Sequence, residues 1–262
     1  MSEVNKQRKP RKKLTKFAKR LLDIILVLSL CTACFSGYML YKGKKEYKVA
    51  NKAYGEVREA YSEISEKGRE IGWDALWEVN PYVVAWIYLE DSSIDYPVIH
   101  YTDNDFYLRR LLDGTWNNAG TIMVDAENSP GFIDKNNVFY GHHMMEEPFM
   151  FADIEKYKDQ SFYDTHKVIE LFTPEKKYLI YPVAGMFETG TGDYIQFKFS
   201  GEKNFLEYVN NFVENSTFVS DEKIEAGDKL ALFSTCEYKV HTVDGRYALI
   251  GKMVEDKDWR KP

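Results

Sequence analysis

The feature that most limits how this chain can fold is a long uncharged segment near its N-terminus. Residues 24–41 read IILVLSLCTACFSGYMLY and contain no charged side chain. With Leu21 and Leu22 the segment approaches the ~20 residues that a helix needs to cross a bilayer. Nine Lys and Arg residues and one acid, Glu3, precede it within residues 1–20, and a smaller basic group follows it. The larger positive flank predicts a cytoplasmic N-terminus and an extracellular C-terminal body.

The apolar segment has two interpretations, a cleaved signal peptide or an uncleaved signal-anchor. No convincing small-x-small cleavage site follows it, and it is long for a signal peptide. A transmembrane signal-anchor over residues 21–41 is therefore favoured, preceded by a basic cytoplasmic tail at residues 1–20 that contacts anionic membrane lipid. Cys31 and Cys34 lie inside the apolar run, where lipid-facing or acylated cysteines fit better than a metal or redox pair.

The segment after the anchor, residues 42–80, predicts a helical extension. Residues 44–70 carry apolar side chains at helical spacing, and Gly72 ends the pattern. A short helical piece follows around Trp73–Val79 and stops at Pro81. The apolar stripe of the longer helix is expected to pack against the rest of the body.

The remaining part, residues 81–257, predicts a β-rich domain. Its short β-prone runs are separated by turn signals, a spacing typical of a sandwich or a closed barrel. Eight strands are expected, at 83–89, 96–100, 120–124, 137–140, 167–172, 178–187, 229–234 and 247–254. Two helices interrupt them, a brief one at 151–157 and a longer one at 202–215.

Charge and cysteine content narrow the kind of protein. The net charge of −6 includes the basic tail, so the body is markedly acidic and nucleic acid is not an expected partner. Cys236 is the only cysteine after residue 34. A lone thiol in an oxidising compartment is either buried or used, and free cysteine is often a small core residue. The sequence around it, 231-ALFSTCEYKV-240, leaves open both a core residue and a nucleophile.

A nucleophilic cysteine needs a base nearby, and two candidates stand together. In 137-NVFYGHHMM-145 a β-prone run ends at Gly141, and His142 and His143 follow where the chain leaves the strand. The alternative is a pair of ordinary surface histidines at a strand end.

An oxyanion formed by thiolate attack needs a donor, and Arg246 opens the last predicted strand. If the last two strands are neighbours, Cys236 and Arg246 share one rim of the sheet. A guanidinium there can lower the thiol pKa or stabilise an oxyanion. The alternative is a salt bridge at the rim to Glu237 or Asp244.

Taken together, these residues resemble the sortases, the cysteine transpeptidases of Gram-positive cell walls. Tyr140-Gly141-His142 resembles the histidine motif of the family. Ser234-Thr235-Cys236 resembles its nucleophile motif, and Arg246 follows on the next strand. The long helix at 202–215, the helical N-terminal extension and the segment 94-IDYPVIHYTDNDFYL-108 are similar to class B enzymes.

The resemblance implies a closed eight-stranded barrel in which the catalytic residues His142, Cys236 and Arg246 converge. It implies His142 rather than His143 as the acid or base, because His142 directly follows Gly141. It also implies that a thiolate–imidazolium pair is a minority population. The residues expected to line a groove for the sorting signal are Asn104, Leu108, Tyr194, Ile195, Ser234 and Glu237.

By the same resemblance, the reaction consists of two acyl transfers. Cys236 attacks the Thr carbonyl of a C-terminal sorting signal of L/N-P-x-T-G/N type on a surface protein. A cell-wall peptidoglycan precursor amine then resolves the thioacyl enzyme. No cofactor and no metal are expected.

Three alternatives remain at this point. Papain-type peptidases and cell-wall amidases are one, but papain-type chains place the cysteine before the histidine. L,D-transpeptidases carry an arginine two residues after the cysteine, where this chain has Tyr238. A non-catalytic anchored ectodomain with a buried cysteine is the third, and its thiol would resist alkylation.

Overall fold

A computed structural model describes residues 15–65, 68–143, 149–190, 193–237 and 245–261, with the backbone alone at 65, 236 and 237. The chain divides into two compact units, Met1–Lys45 and Glu46–Pro262. Residues 238–244, most of the basic tail, and the side chains of Cys236 and Glu237 lie outside the described part.

The first unit contains the N-terminal part of a long helix, α1 (Lys16–Tyr61). Within the described residues, α1 is the one helix long and apolar enough to cross a bilayer. Its apolar side chains up to Tyr41 are exposed, and Cys31 and Cys34 are exposed free thiols. Ser29 donates its hydroxyl proton to the carbonyl of Ile25 at 2.8 Å, which satisfies a polar group inside the apolar run.

The second unit begins with the last four turns of α1, which pack on the barrel as the apolar spacing predicts. Tyr47, Ala50 and Tyr54 are buried there. The predicted helix to residue 70 is wrong in its last part, because α1 ends at Tyr61. A β-hairpin follows, formed by β1 (Ser62–Ser65) and β2 (Gly68–Ile71), and Ile64 is exposed within it.

The hairpin is stabilised by contacts that the local sequence does not reveal. Arg69 on β2 forms an ion pair with Asp95 at 3.0 Å and lies over the ring of Tyr88 at 3.9 Å. Its guanidinium also bonds to Ser62 on β1. Gly68 adopts φ 109°, a conformation that favours glycine and opposes a helix. Helix α2 (Trp73–Val79) then forms as predicted.

The eight predicted strands all form, and they close into a barrel. The barrel order is β10-β8-β7-β3-β4-β5-β6-β9. Their bounds are β3 (Val83–Tyr88), β4 (Asp95–His100), β5 (Ile122–Val124), β6 (Asn136–Tyr140), β7 (Ile169–Phe172), β8 (Lys177–Thr189), β9 (Lys229–Glu237) and β10 (Gly245–Glu255). Two neighbouring pairs, β4–β5 and β6–β9, are parallel, and the other described pairs are antiparallel.

Helices fill the connections between the strands. A single 3₁₀ turn (Tyr107–Arg109) precedes β5, which starts two residues later than predicted because Gly120 turns the chain at φ 64°. The predicted brief helix is α3 (Ala152–Glu155), continued by a 3₁₀ turn (Lys156–Lys158). Helix α4 (Gln160–Thr165) was not expected from the sequence. The predicted long helix is α5 (Glu202–Glu214).

The barrel strands pack their alternate faces into two apolar clusters. In β9, Ala231 and Phe233 belong to the larger cluster, whereas Leu230 and Leu232 belong to the smaller one beneath α5. Strands β6 and β10 divide in the same way. The row of positions that joins the larger cluster is called here the core row, and the row that joins the smaller cluster is called the α5 row.

Candidate active site

The strand order places the three expected catalytic positions on, or just beyond, neighbouring strands. Position 246 on β10 lies directly opposite position 236 on β9, as the predicted strand neighbourhood requires. On the other side of β9, β6 runs parallel, and its last residue, Tyr140, is paired with Ser234. Gly141 still donates its N–H to the carbonyl of Ser234 at 3.4 Å, and His142 follows it beyond the strand end.

Positions 236 and 246 belong to the α5 row. Side chains alternate along a strand, so position 236 follows Leu232 on its face and position 246 precedes Ala248. Leu232 and Ala248 both lie in the cluster beneath α5. The pair of positions therefore lies at one edge of the barrel face that α5 covers.

His142 is held in one orientation by a main-chain carbonyl. Its Nε2 lies 2.7 Å from the oxygen of Leu108, and since a carbonyl only accepts, Nε2 carries the proton. Burial lowers the His142 pKa; the Leu108 carbonyl opposes this, and the positive charges of Arg109 and Arg246 reinforce it. The imidazole is consequently neutral near pH 7, with the lone pair on Nδ1.

Two glycines make room for this histidine. At Gly141 a Cβ would lie 2.6 Å from the ring of Phe151. At Gly120 a Cβ would lie 2.5 Å from the oxygen of Leu108 and 3.1 Å from Cδ2 of His142. The glycine before the histidine, used above as a motif residue, thus allows an aromatic side chain to pack against the strand end.

His143 has a different environment from its neighbour. Its Nδ1 lies 2.8 Å from Oε2 of Glu155 on α3, a nearly buried carboxylate that Lys158 also contacts. Burial would raise the Glu155 pKa, but the bonds to His143 and Lys158 dominate and lower it to about 2. His143 therefore anchors α3, and the choice of His142 as the functional member of the pair stays a prediction.

Arg246 is half-buried at the start of β10. Its Nη1 donates to the carbonyl of Gly245 at 2.9 Å, and its positive charge contributes to lowering the His142 pKa. The alternative partners Glu237 and Asp244 lie, as side chains, outside the described part. A guanidinium carries five N–H donors in a planar arrangement, and Arg246 presents this group on the strand position opposite position 236.

A bonded chain connects Asn104 to the α5 row. The Nδ2 of Asn104 donates to Asp125 at 3.0 Å, and Tyr140 donates its hydroxyl proton to the same carboxylate oxygen at 2.7 Å. The Oδ1 of Asn104 accepts the N–H of Ala126 at 2.9 Å. Tyr140 in turn lies beside Ser234 in the sheet.

The expected groove residues on the other side lie close to the cysteine strand. The hydroxyls of Tyr194 and Ser234 are 2.8 Å apart and both residues are buried. The carbonyl of Tyr194 accepts the hydroxyl proton of Tyr208 on α5 at 2.7 Å. Ile195 packs half-buried on the cluster beneath α5. These contacts form a wall beside position 236.

Sequence reasoning missed several residues that shape this site. Asp125 accepts hydrogen bonds from Asn104 and Tyr140, and the charge of Arg109 lowers the pKa of His142. Neither residue lies in a recognisable motif. The sequence predicts a strand that begins at Gly120, whereas this residue forms a turn. The turn sequence Asn117-Asn118-Ala119-Gly120 was the available signal, because such a cluster favours a left-handed residue.

Comparisons with known proteins identify relatives of this chain. No protein-family model matches the chain. Sortase B of Listeria monocytogenes is 29% identical over 239 residues, which cover 90% of this chain and 96% of the relative. Sortase B of Staphylococcus aureus is 26% identical over 240 residues, covering 90% and 98%. The solved sortase B of Clostridium perfringens is 30% identical, covers 70% of this chain and 100% of that structure, and superposes with a TM-score of 0.65.

The closed barrel, with a cysteine strand between a histidine strand and an arginine strand, is that of a cysteine transpeptidase of sortase type. Likeness over the full length of solved and curated relatives narrows the assignment. The chain belongs to the class B sortases. The predicted family is thereby confirmed, and the papain-type, amidase, L,D-transpeptidase and non-catalytic alternatives are not supported.

Proposed function

We propose that this sortase cleaves a C-terminal sorting signal of L/N-P-x-T-G/N type and transfers the protein to a cell-wall peptidoglycan precursor amine. The observation that carries the proposal is that position 246 is paired with position 236, while β6, which ends two residues before His142, pairs with the other side of β9. A base, a nucleophile and an oxyanion donor are then within reach of one carbonyl group.

In the first step the Nδ1 of His142 takes the thiol proton of Cys236. The thiolate attacks the Thr carbonyl carbon, and Arg246 stabilises the oxyanion that forms. The imidazolium then gives its proton to the leaving amine as the C–N bond breaks, which leaves a thioester. The lowered His142 pKa supports this order, because it favours a neutral thiol–imidazole pair at rest.

In the second step the incoming amine attacks the thioester carbonyl. Nδ1 of His142 accepts the proton that the amine loses, and the Cys236 thiolate leaves and is reprotonated by the imidazolium. The same three residues therefore serve both acyl transfers, and no group beyond them is needed for the proton balance.

The sorting signal binds in a groove lined by Asn104, Leu108, Tyr194, Ile195, Ser234 and Glu237. The bonded chains from Asn104 and from Tyr194 to the α5 row support this, since both end beside position 234. Because Ser234 and Tyr194 already bond to each other, they act as a rigid wall, while Asn104 and Leu108 form the opposite side.

The apolar N-terminal part of α1 anchors the enzyme in the cell membrane with the N-terminus in the cytoplasm. The basic residues before it support this orientation, because positive charge is retained inside. Protease added to intact protoplasts should digest the barrel domain and spare residues 1–20. If the barrel is protected while the N-terminus is cut, the orientation is the opposite of the one proposed.

The peptide reaction is tested with the full chain in detergent micelles. A library of peptides varied around the proposed signal is incubated with the enzyme and an amine acceptor, and the products are identified by mass spectrometry. Cleavage after Thr with transfer to the amine is expected. Cleavage at another bond, or only hydrolysis in the presence of any amine, would contradict the proposal.

A further inference from the structure

We propose that Tyr54, on the helix that leads from the membrane anchor, is a positioning residue for His142. It acts through Gly120 and the carbonyl of Leu108, and it touches neither the substrate nor the reacting atoms. This inference rests on the proposed function of His142.

The hydroxyl of Tyr54 is buried in the second unit and bonded to the segment beside the histidine. It donates to the carbonyl of Gly120 at 2.8 Å and lies 2.9 Å from the hydroxyl of Thr121. The Thr121 hydroxyl donates to the carbonyl of Arg110 at 2.8 Å. Tyr54 is 1% exposed, so loss of its hydroxyl would leave a buried carbonyl without that donor.

Gly120 connects Tyr54 with the histidine, because it packs against both partners of the hydrogen bond between His142 and the Leu108 carbonyl. Even a single added methyl group there would overlap the oxygen of Leu108 and crowd Cδ2 of His142. The position of the Gly120 main chain thus limits where the Leu108 carbonyl and the imidazole can lie. A shift of Gly120 by a few tenths of an ångström would therefore displace both groups.

The helix holds the same segment at a second point. Asn117 donates its Nδ2 proton to the carbonyl of Glu46 at 2.9 Å, and Asn118 donates to the Glu46 carboxylate at 2.6 Å. Glu46 and Tyr54 are eight residues apart, about 12 Å along a helix. Residues 117–121 are therefore attached to α1 at both ends, which gives the helix a direct influence on the bond that orients His142.

The test is Tyr54→Phe in the full chain, which removes the hydroxyl and keeps the ring against Tyr96 and Phe149. Tyr157→Phe is the matched control, because Tyr157 is also fully buried and also donates to a main-chain carbonyl, that of His166 at 2.8 Å. Melting temperature, kcat and KM are measured for both variants. The titration of His142 is followed by NMR with labelled histidine, assigned with His142→Gln.

We expect Tyr54→Phe to lower kcat about three- to tenfold with KM nearly unchanged, as fits the loss of one buried hydrogen bond. The His142 titration should shift from that of the parent, because both the burial of the ring and its bond to the Leu108 carbonyl set its pKa, and Gly120 packs against both groups. Tyr157→Phe should lose melting temperature to a similar extent and keep kcat and the titration.

If the two variants have equal kcat and equal His142 titrations, the inference is overturned. The proposed function still stands in that case, provided that His142→Ala is inactive. Full turnover by His142→Ala would instead overturn the catalytic assignment, and the positioning role with it.

Discussion

The core row and the α5 row of strands β6, β9 and β10 differ in chemistry although they alternate along the same strands. The core row is buried and includes the aromatic side chains of Phe139, Phe233 and Tyr247, of which Phe139 and Phe233 stack at 5.1 Å between ring centres. The α5 row begins apolar, at Val138 and Leu232, and turns polar toward the strand ends. Ser234 and half-buried Arg246 follow there, and half-buried His142 lies just beyond the end of β6.

Near its C-terminal end, β9 thus contributes to stability and to chemistry at alternate positions. Substitutions in the core row should lower stability, whereas substitutions at the polar end of the α5 row should lower activity.

The strongest contrast is between Cys236→Ala and Phe233→Ala. Cys236→Ala should abolish turnover and the thioacyl intermediate and leave the melting temperature nearly unchanged. Phe233→Ala should destabilise the protein by ~3–5 kcal/mol, since it opens a cavity beside Phe139. Urea unfolding and mass spectrometry of the enzyme with peptide measure both. A Cys236→Ala variant that melts several degrees lower, with a parent thiol that resists alkylation, would make position 236 part of the core.

The histidine pair should separate in the same way. His142→Ala should abolish peptide cleavage and keep the fold. His143→Ala should keep much of the activity but melt lower, because it leaves the buried Glu155 without one of its partners. Peptide turnover and melting are measured for both. Equal loss of turnover in the two variants would refute the distinction between the neighbours.

Arg246→Lys should have a smaller effect than removal of the nucleophile or base. Lysine keeps the charge but loses the planar set of donors, so the Cys236 thiol should still react with an alkylating reagent. Turnover should fall by about 10²–10³, the usual effect of losing one oxyanion donor. Parent-like turnover would mean that Arg246 takes no part in the reaction and is only a residue at the rim of the sheet.

The smallest expected effect is on the pH profile. Because the His142 pKa is lowered in the folded protein, the acidic limb of kcat/KM should have its midpoint below the ordinary value of 6.5. The unfolded chain binds that proton more readily, so His142 destabilises the fold as the pH falls through 6.5. Arg109→Gln removes a nearby positive charge and should move the limb upward. A midpoint at or above 6.5 in the parent would contradict this.

Much of the barrel was predictable because its strands carry their own signals. Runs such as Val83–Tyr88 and Lys177–Thr189 are rich in β-branched and aromatic residues and lie between turns. The hairpin at residues 62–71 was not predictable, since its sequence is compatible with a helix and Arg69 finds Asp95 only in the folded protein. Tertiary contact overrides local preference there.

The sequence predicts which residues form the site, but it does not predict how they are placed relative to one another. The motifs around His142 and Cys236 were recognisable, but no periodicity reports that β6 and β9 lie side by side. The bond between Tyr194 and Ser234, and the carbonyl that orients His142, depend on loops whose path local sequence does not encode. Such contacts follow from the closed barrel.

The parallel pairing of β6 with β9 also has a consequence for how the enzyme becomes active. Asn137 on β6 bonds to the carbonyl of Leu230, 93 residues later in the chain. Pairs so distant in sequence form slowly, because a long loop must close before they contribute. The histidine and cysteine positions come together only when that loop has closed. A chain whose β9 has not yet paired with β6 therefore has no assembled site, and refolded enzyme should regain turnover no faster than this pairing forms.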